Sequence, residues 1–131
     1  VQFNDLSEAP LLHNLRKRFK NDRIYTFVGT ILCAVNPFKL LPIYTPEVLS
    51  SYITSRGKGK PPHAFSIAAA AYTSMVRDHK NQAVCISGES GTGKTETMKH
   101  MLHFLTEVSE QTNSPQAAAT TTAAAGGGGG G

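Results

Sequence analysis

The chain has 131 residues, 13 Lys+Arg against 9 Asp+Glu, no Trp and two cysteines, Cys33 and Cys85. That length holds at most one ordinary domain, with a modest core that buries roughly 65–70% of the unfolded surface. No apolar run approaches the roughly 18 residues of a membrane span, VQFNDLSE lacks the regions of a signal peptide, and two cysteines are too few to staple a secreted scaffold, which favours a reducing cytosol.

In chain order, Ser7 is a candidate helix cap, and Pro10 is tolerable in a first turn whose N–H groups have no intrahelical partner. Leu12, Leu15 and Phe19 recur at helical spacing until Asn21-Asp22. The basic cluster Arg16, Lys17, Arg18, Lys20 and Arg23 lies opposite them and reads as a solvated face. It lacks the interleaved aromatics of a nucleic-acid surface, so no nucleic-acid partner is expected. Ile24–Val28 and Ile31–Val35 are β-branched and aromatic, and Gly29-Thr30 between them predicts a two-residue hairpin. NPFKLLPIY follows as a loop between two prolines. Thr45-Pro46-Glu47 starts a short helix that fades into the basic loop SRGKGKPP. A longer helix is predicted from about Ala64 to Asp78, with Phe65, Ala68, Tyr72, Met75 and Val76 on one face. Ala83–Ser87 (AVCIS), apolar at nearly every position, reads as a buried strand. A glycine-rich turn leads to a last helix, about Lys94 to Glu110, with Met98, Met101, Leu102, Leu105 and Val108 inward. Residues 111–131 are an uncharged Ala/Thr/Gly tail, expected to be disordered. With Val first and a glycine run last, the chain reads as a piece of something longer.

Chemistry concentrates in Gly88, Glu89, Ser90, Gly91, Thr92, Gly93, Lys94 and Thr95, which satisfy G-x-x-x-x-G-K-[ST]. The motif needs a strand before it and a helix after it, and AVCIS and KTETMKHMLHFL are suited to both. Its glycines let the backbone curl into a concave loop whose N–H groups face phosphate oxygens. The helix N-terminus adds unpaired N–H groups and the positive end of its dipole. Lys94 supplies a point charge for the β- and γ-phosphates, and the Thr95 hydroxyl is a Mg²⁺ ligand candidate. Phosphoryl transfer needs more: a second carboxylate on Mg²⁺, a group that positions water, and an arginine on the developing charge. No aspartate follows Asp78 and no arginine follows Arg77. Glu89 has no partner that would make it a base. These residues are expected to bind nucleotide and not to turn it over.

GESGTGKTET, preceded by NQAVCIS and PPHAFSIAAAAY, resembles the nucleotide-binding region of the myosin motor domain. LLHNLRKRF, IYTFVGTILCAVNPFK and LPIY are similar to that family's upstream motifs, in its order and near its spacing. The match covers about residues 5–108. Kinesins share the phosphate loop but do not carry NPFK and LPIY ahead of it. The resemblance implies an α/β fold, a P-loop NTPase motor-core fragment with an incomplete central sheet and flanking helices. It implies a partial motor domain over 1–110, with the tail at the family's variable surface loop, and adenine contacts from Asn36, Pro37, Phe38, Lys39 and Tyr44. It further implies ATP and Mg²⁺ as ligands, an actin-activated ATPase and actin filaments as partner in the intact parent, and a cytoplasmic, cytoskeleton-associated setting. The family's N-x-N-S-S-R and D-x-x-G-F-E switch segments are not in these residues. A non-catalytic remnant and another P-loop NTPase, such as a kinesin-like motor, therefore stay open. Thr92 stands where many members have Ala, and Leu40 where a larger residue is frequent.

Lesser candidates read blandly. His100 and His103 are one helical turn apart and could share a metal, but Glu96 and Glu107, each four residues from one of them, suit ordinary surface pairs. His13, His63 and His79 have no ligand spacing. Both cysteines fall in predicted strands, where a buried thiol acts as a small hydrophobe.

Overall fold

The structure, a computed structural model, describes residues 8–113. Ser7 as a cap and the tail from 114 onward lie outside the described residues. Within them the order is α1 (Glu8–Phe19), β1 (Tyr25–Val28), β2 (Ile31–Ala34), α2 (Pro46–Ser55), α3 (Ala64–Asp78) and α4 (Lys94–Asn113).

The hairpin forms as its sequence dictates. β1 and β2 pair antiparallel, Tyr25 opposite Ala34 and Val28 opposite Ile31, around a two-residue turn with Gly29 at φ 59°. A bond from the Val35 N–H to the Ile24 carbonyl, 3.0 Å, extends the pairing to the expected ends. α2 begins where Thr45 accepts the Val48 N–H and Pro46 fills a position that needs no donor. α3 is capped by a side chain the sequence reading passed over: His63 Nδ1 accepts the Phe65 N–H at 3.0 Å.

α2, α3 and α4 pack on one another and on the inner side of the hairpin. Their shared core holds Ile24, Tyr25, Leu49, Tyr52, Phe65 and Phe104 among its buried members, with Ala64 and Ala68 allowing close approach. Phe65 and Phe104 are fully buried and stack with centroids 5.3 Å apart. The inner face of α4 is therefore Met101, Phe104, Leu105 and Val108, whereas Met98 and Leu102 face solvent, a rotation of the expected stripe. On α3, Phe65 and Ala68 are buried and Tyr72 is half-buried, but Met75 and Val76 are exposed. α4 continues to Asn113, three residues into the stretch assigned to the tail, and Tyr72 donates to Thr112 Oγ1 at 3.2 Å there.

One predicted strand is corrected. Ala83–Ser87 is not a strand and is not buried: Val84 is 42% exposed and Cys85 is exposed, with only Ile86 half-buried against the core. A strand needs a neighbour for its ladder, and among the described residues β1 and β2 pair only with each other. No α1 residue is buried, and Leu12 on its apolar stripe is 66% exposed. α1 is instead anchored by a member of its basic face: Arg18 donates to Thr26 Oγ1 at 2.8 Å and to the Tyr25 carbonyl at 2.7 Å.

Candidate nucleotide-binding site

Residues 88–93 turn the chain from the extended 81–87 segment into the N-terminus of α4, a 20-residue helix. Gly91 (φ 81°) and Gly93 (φ 93°) occupy backbone conformations that a side chain would strain. At Gly88 the limit is space, because a Cβ there would come within 2.7 Å of Thr92 Oγ1. That hydroxyl also donates to the Glu89 carbonyl at 2.8 Å, drawing the loop into a tight curl. Lys94 folds back over the curl, and its ammonium donates to the Gly88 and Glu89 carbonyls, each at 2.6 Å. An ammonium has three N–H donors, so two are engaged by the loop's own backbone. A phosphate there would offer charged oxygens in place of those carbonyl acceptors, with bonds roughly twice as strong. Thr95 is exposed in the first turn of α4, and the helix dipole favours negative charge at that end. The donor set suits a phosphate chain with a hard cation. The adjoining cleft, about 430 Å³, runs between β2, the 83–87 segment and the start of α4.

The 36–44 loop is fastened to this unit. Asn36 Nδ2 donates to the Gly91 carbonyl at 3.0 Å, and its Oδ1 accepts the Phe38 N–H at 2.9 Å. Both ends of the amide are thus committed to protein atoms, one of them across 55 residues of sequence. The second bond closes a turn that holds Phe38 at φ 49°, with its ring 86% exposed. Pro37 is half-buried, and Lys39 pairs with Asp22 at 2.6 Å across an exposed surface. Tyr44 is half-buried; its hydroxyl lies 2.7 Å from that of Tyr25, and its ring stacks on His100 at 3.5 Å with 4° between planes. Burial raises the Tyr25 phenol far above its ordinary range, with the Tyr44 hydroxyl adding to the shift, so both remain neutral donors. His63, beneath them, takes one tautomer: Nδ1 accepts from Phe65 and Nε2–H donates to the Ile43 carbonyl at 2.9 Å. Burial pushes that imidazole down to about 4.

The two loops singled out by their motifs are brought together through Asn36 and Gly91. His63 and His100, which hold the base of the second loop, carry no motif that marks them. The only available signal was their position, His63 immediately before a helix start and His100 six residues beyond Lys94. The two α4 histidines part company: His103 lies 3.6 Å from Glu107, while Glu96 pairs with Lys99 at 2.7 Å. Among the described residues no group of three or more His, Cys, Asp or Glu is placed to hold a metal.

Compared with known proteins, residues 1–124 match the family model of the myosin head, the motor domain. The chain belongs to the myosin motor-domain family. It is 53% identical over 113 residues to the high molecular weight form of myosin-1 of Acanthamoeba castellanii, covering 86% of this chain and 7% of that protein. Mouse (Mus musculus) unconventional myosin-IXa is 48% identical over 107 residues, covering 82% of this chain and 4% of its own length. The myosin-H heavy chain of Dictyostelium discoideum is 44% identical over 113 residues, 86% of this chain and 6% of its own. The chain thus spans 4–7% of the length of these relatives. In this motor-domain chain the architecture is a two-stranded sheet with four helices among the described residues, none of them long and apolar enough to cross a membrane.

Proposed function

We propose that this stretch of a myosin motor domain is its ATP-binding portion, with residues 88–95 taking the phosphates and residues 36–44 the adenine. In the complete protein the activity is actin-activated hydrolysis of Mg·ATP that drives movement on actin filaments, in a cytoplasmic, cytoskeleton-associated setting. The observation that carries the reading is the curled loop at the head of α4, with Lys94 turned back over its carbonyls and the 36–44 loop bonded to Gly91. Within it, the loop N–H groups and Lys94 would hold the β- and γ-phosphates, and Thr95 would be the ligand to Mg²⁺. The metal, when bound, neutralises charge between those phosphates. Among residues 36–44, Phe38 offers an open ring and Tyr44 a neutral hydroxyl at the loop's foot.

Titration of Mg·ATP and Mg·GTP into the full chain tests the assignment. Preferential binding of ATP, weakened when Mg²⁺ is chelated, is expected. Equal affinity for the two nucleotides would overturn the adenine assignment, and binding of neither would overturn the phosphate assignment as well.

A further inference from the structure

The loop that begins at Asn36 is tied to the phosphate-loop unit twice, once at each end. At its start the tie is the bond from Asn36 to the Gly91 carbonyl. At its end the tie is the Tyr44 ring lying flat on His100, centroids 3.5 Å apart and planes within 4°. Between these points Phe38 and Leu40 are almost fully exposed, while Lys39 pairs with Asp22 and Leu41 and Ile43 pack on the core, so Asn36 and Tyr44 carry the loop's described ties to the 88–95 unit and its helix. The other neighbours of Tyr44 are Tyr25 from β1 and the His63 and Phe65 rings at the start of α3, at 5.3 and 6.1 Å. Those three are buried residues of β1 and the start of α3. His100 alone belongs to the helix that starts at Lys94. It sits six residues along α4, about 9 Å of helix rise from the phosphate-facing end. That spacing suits a nucleoside reaching from the phosphate loop back to the foot of the 36–44 loop.

We propose that His100 is a positioning residue for the base subsite: its stack on Tyr44 sets the distance between the 36–44 loop and the phosphate loop, and so the gain in affinity that a nucleoside adds to a bare triphosphate. This rests on the ATP-binding reading above. His100 is half-buried, with Glu96, Lys99 and His103 near it on α4 and His63 facing it from the start of α3. Its contact with Tyr44 is a ring-on-ring one, so a planar substitute without charge should serve. An aliphatic or truncated one should not.

The experiment compares Mg·ATP with Mg·tripolyphosphate as ligands of the full chain and of its His100→Ala and His100→Phe variants. His100→Ala is expected to bind ATP roughly 3–10-fold more weakly, the range an aromatic pair accounts for, with tripolyphosphate affinity unchanged. His100→Phe is expected to restore ATP affinity to within about twofold. Retained tripolyphosphate binding also shows that the variant has folded. A wild type that prefers ATP over tripolyphosphate, with His100→Ala showing the same preference, would overturn the role of His100 and leave the ATP-binding reading standing. Equal weakening toward both ligands would make His100 merely structural and overturn it too. A wild type that binds ATP no better than tripolyphosphate would overturn the base-subsite reading itself, and this inference with it.

Discussion

At the scale of single residues, the site depends on backbone shape and on one buried imidazole. Gly91 has open space where a Cβ would stand, yet its φ is 81°. Gly91→Ala therefore tests conformation alone, at a cost of roughly 1–3 kcal/mol to the loop as it stands. We expect nucleotide affinity to fall while the thermal midpoint of the helical core moves little; unchanged affinity would show that the loop rearranges on binding. His63 gives a pH dependence. Folded, it takes up its proton near pH 4, whereas the unfolded chain does so near the ordinary 6.5. Between those values the unfolded state holds more protons, so stability is full above about pH 6.5 and declines as pH falls. The loss from this group reaches about 2 kcal/mol by roughly pH 5. Denaturant midpoints measured from neutral pH down to 5 should show this decline. His63→Asn, which keeps an acceptor for the Phe65 N–H, should flatten it, and an equal slope in the variant would remove His63 as the cause.

At the scale of elements, α4 is where sequence and structure diverge most usefully. Its pattern MxxMLxFLxxV is apolar over such a wide arc that two stripes at helical spacing compete, one through Met98 and Leu102, the other through Met101 and Phe104. Only the neighbour decides, and the neighbour is Phe65 on α3. Phe104→Ala should cost roughly 3–5 kcal/mol and Leu102→Ala, 54% exposed, no more than about 0.5. Urea denaturation of both variants checks the assignment, and the reverse order would restore the first stripe. Local chemistry was legible where it is self-contained: the Gly29 turn, the Thr45-Pro46 cap, and the glycine and lysine spacing of 88–95. It was not legible where a distant partner decides. AVCIS has strand composition but pairs with no strand among the described residues, and Leu12 on the α1 stripe stands exposed. The ring stack of His100 on Tyr44 depends on two segments 56 positions apart in sequence, and no spacing rule announces it.

At the scale of the whole molecule, the described residues have a real but small core under a surface rich in apolar side chains. Phe27, Ile31, Leu40, Met75, Val84 and Leu102 all stand exposed, and the one described sheet has two strands, each with an open edge. Exposed apolar side chains and open strand edges invite association. We expect the isolated chain to unfold over a broad temperature range and to self-associate as concentration rises. A sharp cooperative transition in a monomer, seen by calorimetry and sedimentation together, would contradict that. Lys94 is the charged centre of the proposed phosphate site, where contacts with phosphate oxygens would be charge-assisted, worth roughly 1.5–3 kcal/mol each. The most direct measurement is equilibrium binding of Mg·ATP to the chain and to Lys94→Ala under one buffer and one salt concentration. Measurable binding is expected for the former and a loss of roughly 10- to 100-fold for the latter. Equal affinity in the two chains would contradict the claim that residues 88–95 hold the phosphates.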